Sequence, residues 1–477
     1  MHKKPHSFTF LALFVFLFAQ VCFAAVPQSQ LQVVAELEQA KSCYETKDYG
    51  KAEQIYQSIL KQYGDTDHAL MAQKGLTILY IDWGKMPQAD AAFEELVANF
   101  TRNAHIAEAV HEVAGHYRWL KKYEKSKQLC QYVIDNWPGS ESAMWSQMGV
   151  AMANIALGEP NAAADAIDKL LTDFSRNEYI AQAVHEIAGH CSFLEKHEKA
   201  RELHQYVLDN WPRSEQAMWS QMGVAVSNIA LGKTEAAETA VDKLLTDFSK
   251  NGYIADAVRQ AANAHRKSGN YEKADELYKY VIANWPGDES AVLARMDMAL
   301  SNVASLINDG NDSEVQTAVN NLITDFNGNP DLPQSVFGIA ETCYRKGLNV
   351  GVEQEAGNKV FLRKAVELLD GMAMQDISDS MFKASVFYVK GLSCRAAGDY
   401  AQAADAFQNA YQADPKHQYA DYCLFARGYC YEVLLHNKLI SEIQAKPIIN
   451  LQYTKLLADC PRSQYAPYAS DWLQSNQ

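Results

Sequence analysis

Apolar residues recur along this chain with the spacing of buried helix faces. In AHRKSGNYEKADELYKYVIANWP (264–286), Ala274, Tyr278 and Val281 follow the i, i+4, i+7 pattern of one face. A glycine–asparagine pair interrupts the pattern upstream and Pro286 ends it, so the stretch predicts two helices joined by a turn. No alternating pattern of comparable strength predicts a strand. The pattern therefore predicts an all-α protein.

The helical pattern returns after 74 residues. QYVIDNWPGSESAMWSQMGVAMANIALG (131–158) aligns with QYVLDNWPRSEQAMWSQMGVAVSNIALG (205–232), and the same shift carries Trp137 to Trp211 and Trp285. Each copy contains two helical hairpins. A repeat of this length indicates a solenoid, because a single unit cannot bury its apolar face without a neighbour.

The stretch GLSCRAAGDYAQAADAFQNAYQADP (391–415) resembles the tetratricopeptide repeat (TPR) family. The residues that carry the resemblance are Gly391, Gly398, Tyr400, Ala403, Phe407, Ala410 and Pro415. The likeness extends over residues 33–461, where we expect about eleven hairpins, and it departs from the family pattern around 349–358 and 436–447. The resemblance implies a right-handed superhelical solenoid, with first helices lining a concave groove and second helices forming its outer wall.

The chain begins with the pattern of a secretory signal peptide. A basic start is followed by an apolar run (8–18) and by Cys22-Phe23-Ala24, so we expect cleavage before Ala25 and a periplasmic or secreted protein. A lipid anchor at Cys22 is the alternative, disfavoured because Val21 precedes it where such signals usually have Gly, Ala or Ser. No other apolar stretch reaches the roughly 20 residues that a membrane-spanning helix needs.

Length and repeat divergence suggest the organisation after the signal peptide (1–24). More than about 250 residues usually divide into domains or repeats. We expect a TPR solenoid of 74-residue double hairpins over residues 25–329. Residues 330–477 are predicted to contain diverged TPR-like repeats and a capping helix.

Charge and cysteine content narrow the function classes. Asp and Glu number 58 against 43 Lys and Arg, a net charge of −15, which disfavours binding to a phosphate backbone. Eight of the nine cysteines follow the signal peptide, so an oxidising compartment would allow disulfides without specifying their pairing. No C-x-x-C occurs, which makes a structural zinc site or a thioredoxin-type site improbable.

The stretch AVHEVAGH (109–116) resembles a zinc-protease helix at first sight and returns as AVHEIAGH (183–190). A metalloprotease needs H-E-x-x-H, whereas His111 and His116 are five residues apart and so differ by about 140° around a helix. We therefore expect no metal and no cofactor, and we interpret His111 and His185 as solvated groove histidines. No nucleophile elbow, P-loop or dinucleotide fingerprint occurs, and we predict a non-catalytic protein.

The TPR resemblance assigns a set of residues to the groove. The candidate partner-binding residues are His111, Arg118, Trp145, Met148, His185, Trp219, Met222, Arg259 and Arg266. Their Trp and Met members either form an adaptable apolar surface or pack against the Trp-Pro corners, and both interpretations stay open.

We predict a scaffold that binds a protein or peptide partner and no nucleic acid. Endings such as NWPGSESA and DCPRSQYA are similar to those of exported bacterial members of the family, so peptidoglycan or outer-membrane machinery are candidate partners. The alternatives are a metal-dependent envelope enzyme or enzyme subunit, and a carbohydrate or peptidoglycan binder that uses aromatics such as Trp119 and Phe193.

Overall fold

The computed structural model describes residues 28–349, 355–373, 377–461 and 463–476. Within these residues the chain forms 23 α-helices and no strand. The prediction of an all-α fold is confirmed. The predicted signal peptide and its cleavage site lie outside the described residues.

The helices fall into two compact units, one ending at Ala240 and one beginning at Val241. The first unit contains α1 (Gln28–Glu45), α2 (Tyr49–Tyr63), α3 (Asp67–Asp82), α4 (Met86–Asn99), α5 (Ile106–Trp119), α6 (Tyr123–Asn136), α7 (Glu141–Leu157), α8 (Pro160–Asp173), α9 (Ile180–Phe193), α10 (His197–Asn210), α11 (Gln216–Ala230) and the start of α12 (Thr234–Asp247). The division falls within α12. The predicted boundary at residue 329 rests on sequence divergence and stays a prediction.

The second unit continues the alternation of helices. It contains the end of α12, α13 (Ile254–Lys267), α14 (Tyr271–Asn284), α15 (Glu289–Asp309), α16 (Asp312–Asp325), α17 (Leu332–Asn349), α18 (Glu355–Ala373), α19 (Ser380–Ala397), α20 (Tyr400–Ala413), α21 (Ala420–His436), α22 (Glu442–Asp459) and α23 (Ala466–Ser475). Each odd-numbered helix up to α21 pairs with the even-numbered helix after it, and in the pair α11–α12 the contact is made by Gln221 and Asn228, which donate to carbonyls of α12. The described residues thus contain eleven hairpins, in agreement with the about eleven that the sequence predicts, and α23 follows them and packs on α22.

Successive odd-numbered helices also contact one another within each unit. We call them the odd-helix layer: α1 to α11 in the first unit and α13 to α19 in the second. Every odd-numbered helix of this layer therefore has helical neighbours on several sides. In α7 most side chains are buried, from Ala143 to Ile155.

Glycines in the odd-numbered helices allow large side chains of the even-numbered helices to approach. A Cβ added at Gly391 would lie 2.7 Å from the ring of Phe407, and one at Gly428 would lie 2.5 Å from Tyr453. Both aromatic residues are fully buried. The aromatic ring thus occupies the volume that a larger residue at the glycine position would need.

A buried glutamine joins the two helices of every second hairpin in the first unit, at the 74-residue period. In three successive copies its Nε2 donates to a carbonyl of the following even-numbered helix at 2.8 Å. The pairs are Gln73 with Ala92, Gln147 with Ala166 and Gln221 with Ala240. The sequence repeat is therefore also a repeat of individual contacts.

In the described part of the chain, no helix combines the length and the apolar character needed to cross a bilayer. Among the eight cysteines of these residues, Cys460 alone is not buried.

Candidate partner-binding face

The two repeated histidines hold successive odd-numbered helices together. His111 Nδ1 on α5 lies 2.9 Å from Ser146 Oγ on α7, and His185 Nδ1 on α9 lies 2.9 Å from Ser220 Oγ on α11. Both serines are fully buried. The interpretation of solvated groove histidines is wrong, because each imidazole is half-buried between helices, and burial lowers the pKa of His111 to about 4.

A third histidine, which the sequence did not single out, belongs to the same cluster. The rings of His204 and His185 lie 5.1 Å apart. His204 is 3% exposed, and its ring lies against Gly223, where an added Cβ would approach within 2.4 Å. Burial, with a smaller contribution from His185, lowers the pKa of His204 to about 3, so this imidazole is neutral at neutral pH.

Arg118 is a half-buried cation among these side chains. Its Nη1 atom is buried and has no hydrogen-bond partner among the described residues. That atom lies 3.1 Å from the position that a Cβ at Gly149 would occupy. Burial is the main cause that lowers the pKa values of His111 and His190, and the positive charge of Arg118 lowers them further. The guanidinium therefore favours neutral imidazoles around it.

In the second unit an ion network replaces the histidine–serine pair. Arg259, at the repeat position of His111 and His185, donates to Asp256 Oδ1 and Asp297 Oδ2, each at 2.8 Å. Asp297 is 7% exposed. Burial opposes the charge of Arg259, but the hydrogen bonds to the two carboxylates raise its pKa overall. The network thus joins α13 to α15 through paired charges, of which Asp297 is buried and Arg259 and Asp256 are half-buried.

Three further polar side chains extend this network. Asn263 Nδ2 donates to Asp297 Oδ2 at 3.1 Å, and Asn263 Oδ1 accepts from Tyr278 Oη at 2.8 Å. Arg266 Nη2 donates to the same amide oxygen at 3.3 Å. Tyr278 is fully buried, and burial raises the pKa of its hydroxyl. Asn263 therefore bridges the acidic and basic parts of the network.

The predicted apolar residues differ in exposure. Met148 is 3% exposed and belongs to the core of the first unit, which corrects its assignment to a groove surface. The physical reason is that α7 packs against helices on several sides. Trp145, Trp219 and Met222 are half-buried, and the ring of Trp145 lies 6.1 Å from that of Tyr179. Burial of Met148 supports the packing interpretation for that residue.

Two large aromatic side chains are exposed at equivalent repeat positions. Trp119 and Phe193, the last residues of α5 and α9, are each 69% exposed. Each lies near a histidine of its own helix: His116 to Trp119 is 5.8 Å between ring centroids, and His190 to Phe193 is 6.5 Å. Exposed aromatic residues of this size are typical of interaction surfaces.

The two histidines of AVHEVAGH (109–116), His111 and His116, contact different partners. His111 contacts Ser146, whereas His116 Nε2 lies 2.7 Å from Asp82 Oδ1. Although burial opposes it, hydrogen bonds from His116 and Tyr44 lower the pKa of Asp82. Across the residues that the structure describes, no three His, Cys, Asp or Glu side chains are grouped as a metal ion would need.

Comparison with known proteins identifies one repeat directly. Residues 383–424, which include α20 and parts of α19 and α21, match the tetratricopeptide repeat family model. The resemblance derived from residues 391–415 is thereby confirmed. The protein is an α-helical repeat protein with a TPR-type scaffold fold, a fold typical of protein–protein interaction.

Several solved structures are similar. A tetratricopeptide repeat protein from Parabacteroides merdae is 14% identical, with 60% of this chain and 98% of that chain covered and a TM-score of 0.33. Yeast Tom70 is 10% identical, with 94% and 96% covered and a TM-score of 0.36. Pseudomonas aeruginosa PilF is 12% identical, with 56% and 98% covered and a TM-score of 0.29. No curated protein matches the sequence.

Proposed function

We propose that this protein is an exported, non-catalytic scaffold that binds a protein or peptide partner along its odd-helix layer. The observation that carries the proposal is the equal exposure of Trp119 and Phe193, 69% each, one repeat apart. Leaving two large rings in water forgoes the free energy of burying them, about 1.5–3 kcal/mol for a large apolar side chain. A partner that covers both rings would recover it.

Fixed polar side chains on the same two helices, α5 and α9, favour a specific partner. His111 and His185 are each held by a buried serine, so their rings are oriented before any partner arrives. Prior orientation lowers the entropy cost of binding. In the second unit, Arg259 occupies the corresponding position and, with Arg266, belongs to the ion network.

Position-specific photocrosslinking tests the proposal. A benzoylphenylalanine at Gly189 would project from the odd-helix layer, because a Cβ there meets no atom within 4 Å. The same probe at the exposed Lys199 on α10 is the control on an even-numbered helix. In extract of the source cells, we expect a discrete adduct from position 189, little from 199, and loss of the adduct with Trp119→Ala and Phe193→Ala. Equal adducts from both positions would contradict the proposal.

Export rests on the sequence pattern before Ala25. We propose a periplasmic or secreted mature chain that begins at Ala25 without acyl groups. Intact-mass measurement of the protein from its source checks this. A diacylated Cys22 as the first residue would instead place the protein on a membrane surface.

A carbohydrate ligand is the second candidate, and the same two exposed rings favour it, since sugar rings stack on aromatic faces. Soluble peptidoglycan fragments should then quench Trp119 fluorescence, and Trp119→Ala should remove that quenching. Retention of the protein adduct in the presence of saturating fragments would show that the two ligands use different surfaces.

A further inference from the structure

The second unit contains a cavity of about 210 Å³ between α13, α15 and α17. Leu300, Ile307 and Ile339 contribute apolar wall, and all three side chains are buried. Arg266 and Asp297 contribute a polar end. Since one water molecule takes roughly 30 Å³ of liquid, the space is of the size of an amino-acid residue.

The polar end contains a donor without a partner. The Nε atom of Arg266 is buried and makes no hydrogen bond within the described residues, while Nη2 donates to Asn263. A buried, unpaired donor on a charged group is unfavourable. Asp297 Oδ2 accepts from Arg259 and Asn263. A ligand oxygen in the cavity would satisfy Nε.

Charge balance around the cavity indicates which oxygen fits. Arg259 and Arg266 are matched in number by Asp256 and Asp297, so the network carries no excess charge. A carboxylate in the cavity would approach the buried carboxylate of Asp297, and an ammonium group would approach Arg266. Both like-charge contacts are unfavourable at low dielectric. A neutral amide carbonyl avoids both.

Among the three copies, the third alone combines an arginine and an aspartate at these two positions, since Arg266 is matched by Arg118 in the first copy and by Ser192 in the second. Asp297 stands at the repeat position of Gly149 and Gly223. At Gly223 the neighbouring His204 ring fills the space that a side chain would need. The combination of an arginine and an aspartate at this end of the cavity therefore arises in the third copy, and not from the hairpin frame that all copies share.

We propose that this cavity binds one aliphatic residue of an extended peptide. The side chain lies against Leu300, Ile307 and Ile339, and a main-chain carbonyl of the peptide accepts from Arg266 Nε. This inference rests on the proposed function, since it assigns an anchor for the peptide partner within the odd-helix layer.

Methyl NMR of the mature chain, labelled at the isoleucine δ1 positions, tests the inference. The probes are blocked pentapeptides with leucine, glycine, aspartate or lysine between alanines. The leucine peptide should shift the Ile307 and Ile339 resonances, and the other three should bind about tenfold more weakly or worse, since a missing side chain or an unpaired charge each costs that much. Absence of any shift with the leucine peptide, or tighter binding of the aspartate peptide, would overturn the proposal.

Gly338 allows the cavity to be closed without disturbing the fold. It lines the cavity on α17, and a Cβ there meets no atom within 4 Å, so Gly338→Leu should fold and block entry. Gly371→Leu is the matched control, because Gly371 is equally open and lines a separate cavity of about 310 Å³. Arg266→Met removes the donor and keeps most of the volume.

The expected result is loss of the leucine-peptide shift in Gly338→Leu, at least about tenfold weaker binding in Arg266→Met, and no change in Gly371→Leu. Unchanged binding in Gly338→Leu would show that the peptide lies elsewhere. If the Gly189 crosslink forms while these peptides fail to bind, the scaffold function stands and the anchor assignment is wrong. If the peptides bind and no crosslink forms, the cavity stands without the scaffold function.

Discussion

Replacing Gly391 by alanine should destabilise the second unit, although alanine is the better helix former. The added Cβ would lie 2.7 Å from Cδ1 and Cε1 of Phe407. That ring has no room to withdraw, because it is fully buried and lies between Tyr388, at 6.4 Å between centroids, and Tyr422, at 5.7 Å. The clash must therefore be relieved by moving packed rings or by separating α19 from α20.

A matched glycine isolates this packing cost. Gly338 lies within α17 of the same unit, and a Cβ there meets no atom within 4 Å. Gly338→Ala should gain about 0.5–1 kcal/mol from the helix preference for alanine. Gly391→Ala has the same gain, offset by about 1–3 kcal/mol of overpacking. The difference between the two variants should then be about 1–3 kcal/mol in favour of Gly338→Ala.

Hydrogen exchange followed by mass spectrometry measures this difference locally, which suits a chain of two units that need not unfold together. Peptides from α19 and α20 should exchange about 5–140-fold faster in Gly391→Ala than in Gly338→Ala, since each 1.4 kcal/mol is a factor of ten. Equal or slower exchange in Gly391→Ala would refute the argument that a rigid ring fills the glycine site.

Three other changes should affect stability in urea unfolding followed by circular dichroism. Acidification should lower the free energy of unfolding of the first unit, because the pKa of His204 is about 3 in the folded chain and about 6.5 in the unfolded chain. The stability contributed by the neutral imidazole is complete above pH 6.5 and is lost as the pH falls towards the folded value. His204→Leu should reduce this acid sensitivity. Gln147→Leu removes the side-chain donor to a carbonyl of α8 that keeps its bond within the helix, and it should cost about 0.5–1.5 kcal/mol, whereas exposed Gln131→Leu should change stability by less than about 0.5 kcal/mol. Arg259→Met leaves the buried carboxylate of Asp297 without its cation and should cost about 3–5 kcal/mol, part of which Asp297→Asn should restore. The His204 prediction would be contradicted by an unchanged acid response in His204→Leu, and the Gln147 prediction by equal unfolding midpoints for the two glutamine variants. The Arg259 prediction would be contradicted if Arg259→Met were as stable as the unchanged protein.

The sequence predicted the hairpin array well because helices in this fold bury one face at a regular spacing. About eleven hairpins were expected, and the described residues contain eleven. Local signals also identified helix ends: Gly398 has a φ of 89° at the end of α19, where TPR spacing places a glycine. Such features depend on neighbours in sequence, which are visible without knowledge of the fold.

The environment of the site residues could not be predicted in the same way. Whether His111 is solvated depends on Ser146, which lies on the next odd-numbered helix. The sequence did contain one indication of this contact, because a serine follows each of the two histidines by 35 residues: Ser146 follows His111, and Ser220 follows His185. Met148 illustrates the opposite case. Its helix is apolar on nearly all sides, so no amphipathic pattern indicates which side chains remain exposed.

Paired differences between copies show how the odd-helix layer can vary while the hairpins stay the same. Gly223 faces His204 in the second copy, whereas Asp297 and Tyr278 occupy these two repeat positions in the third. Arg259 then supplies the cation that the buried aspartate requires. A charged pair costs more to desolvate than a neutral imidazole bonded to a serine, so burial alone does not favour the exchange. The exchange keeps the hairpin fold and places Asp297 at the polar end of the cavity. Recognition of a partner is the function that would explain why this less favourable burial is retained.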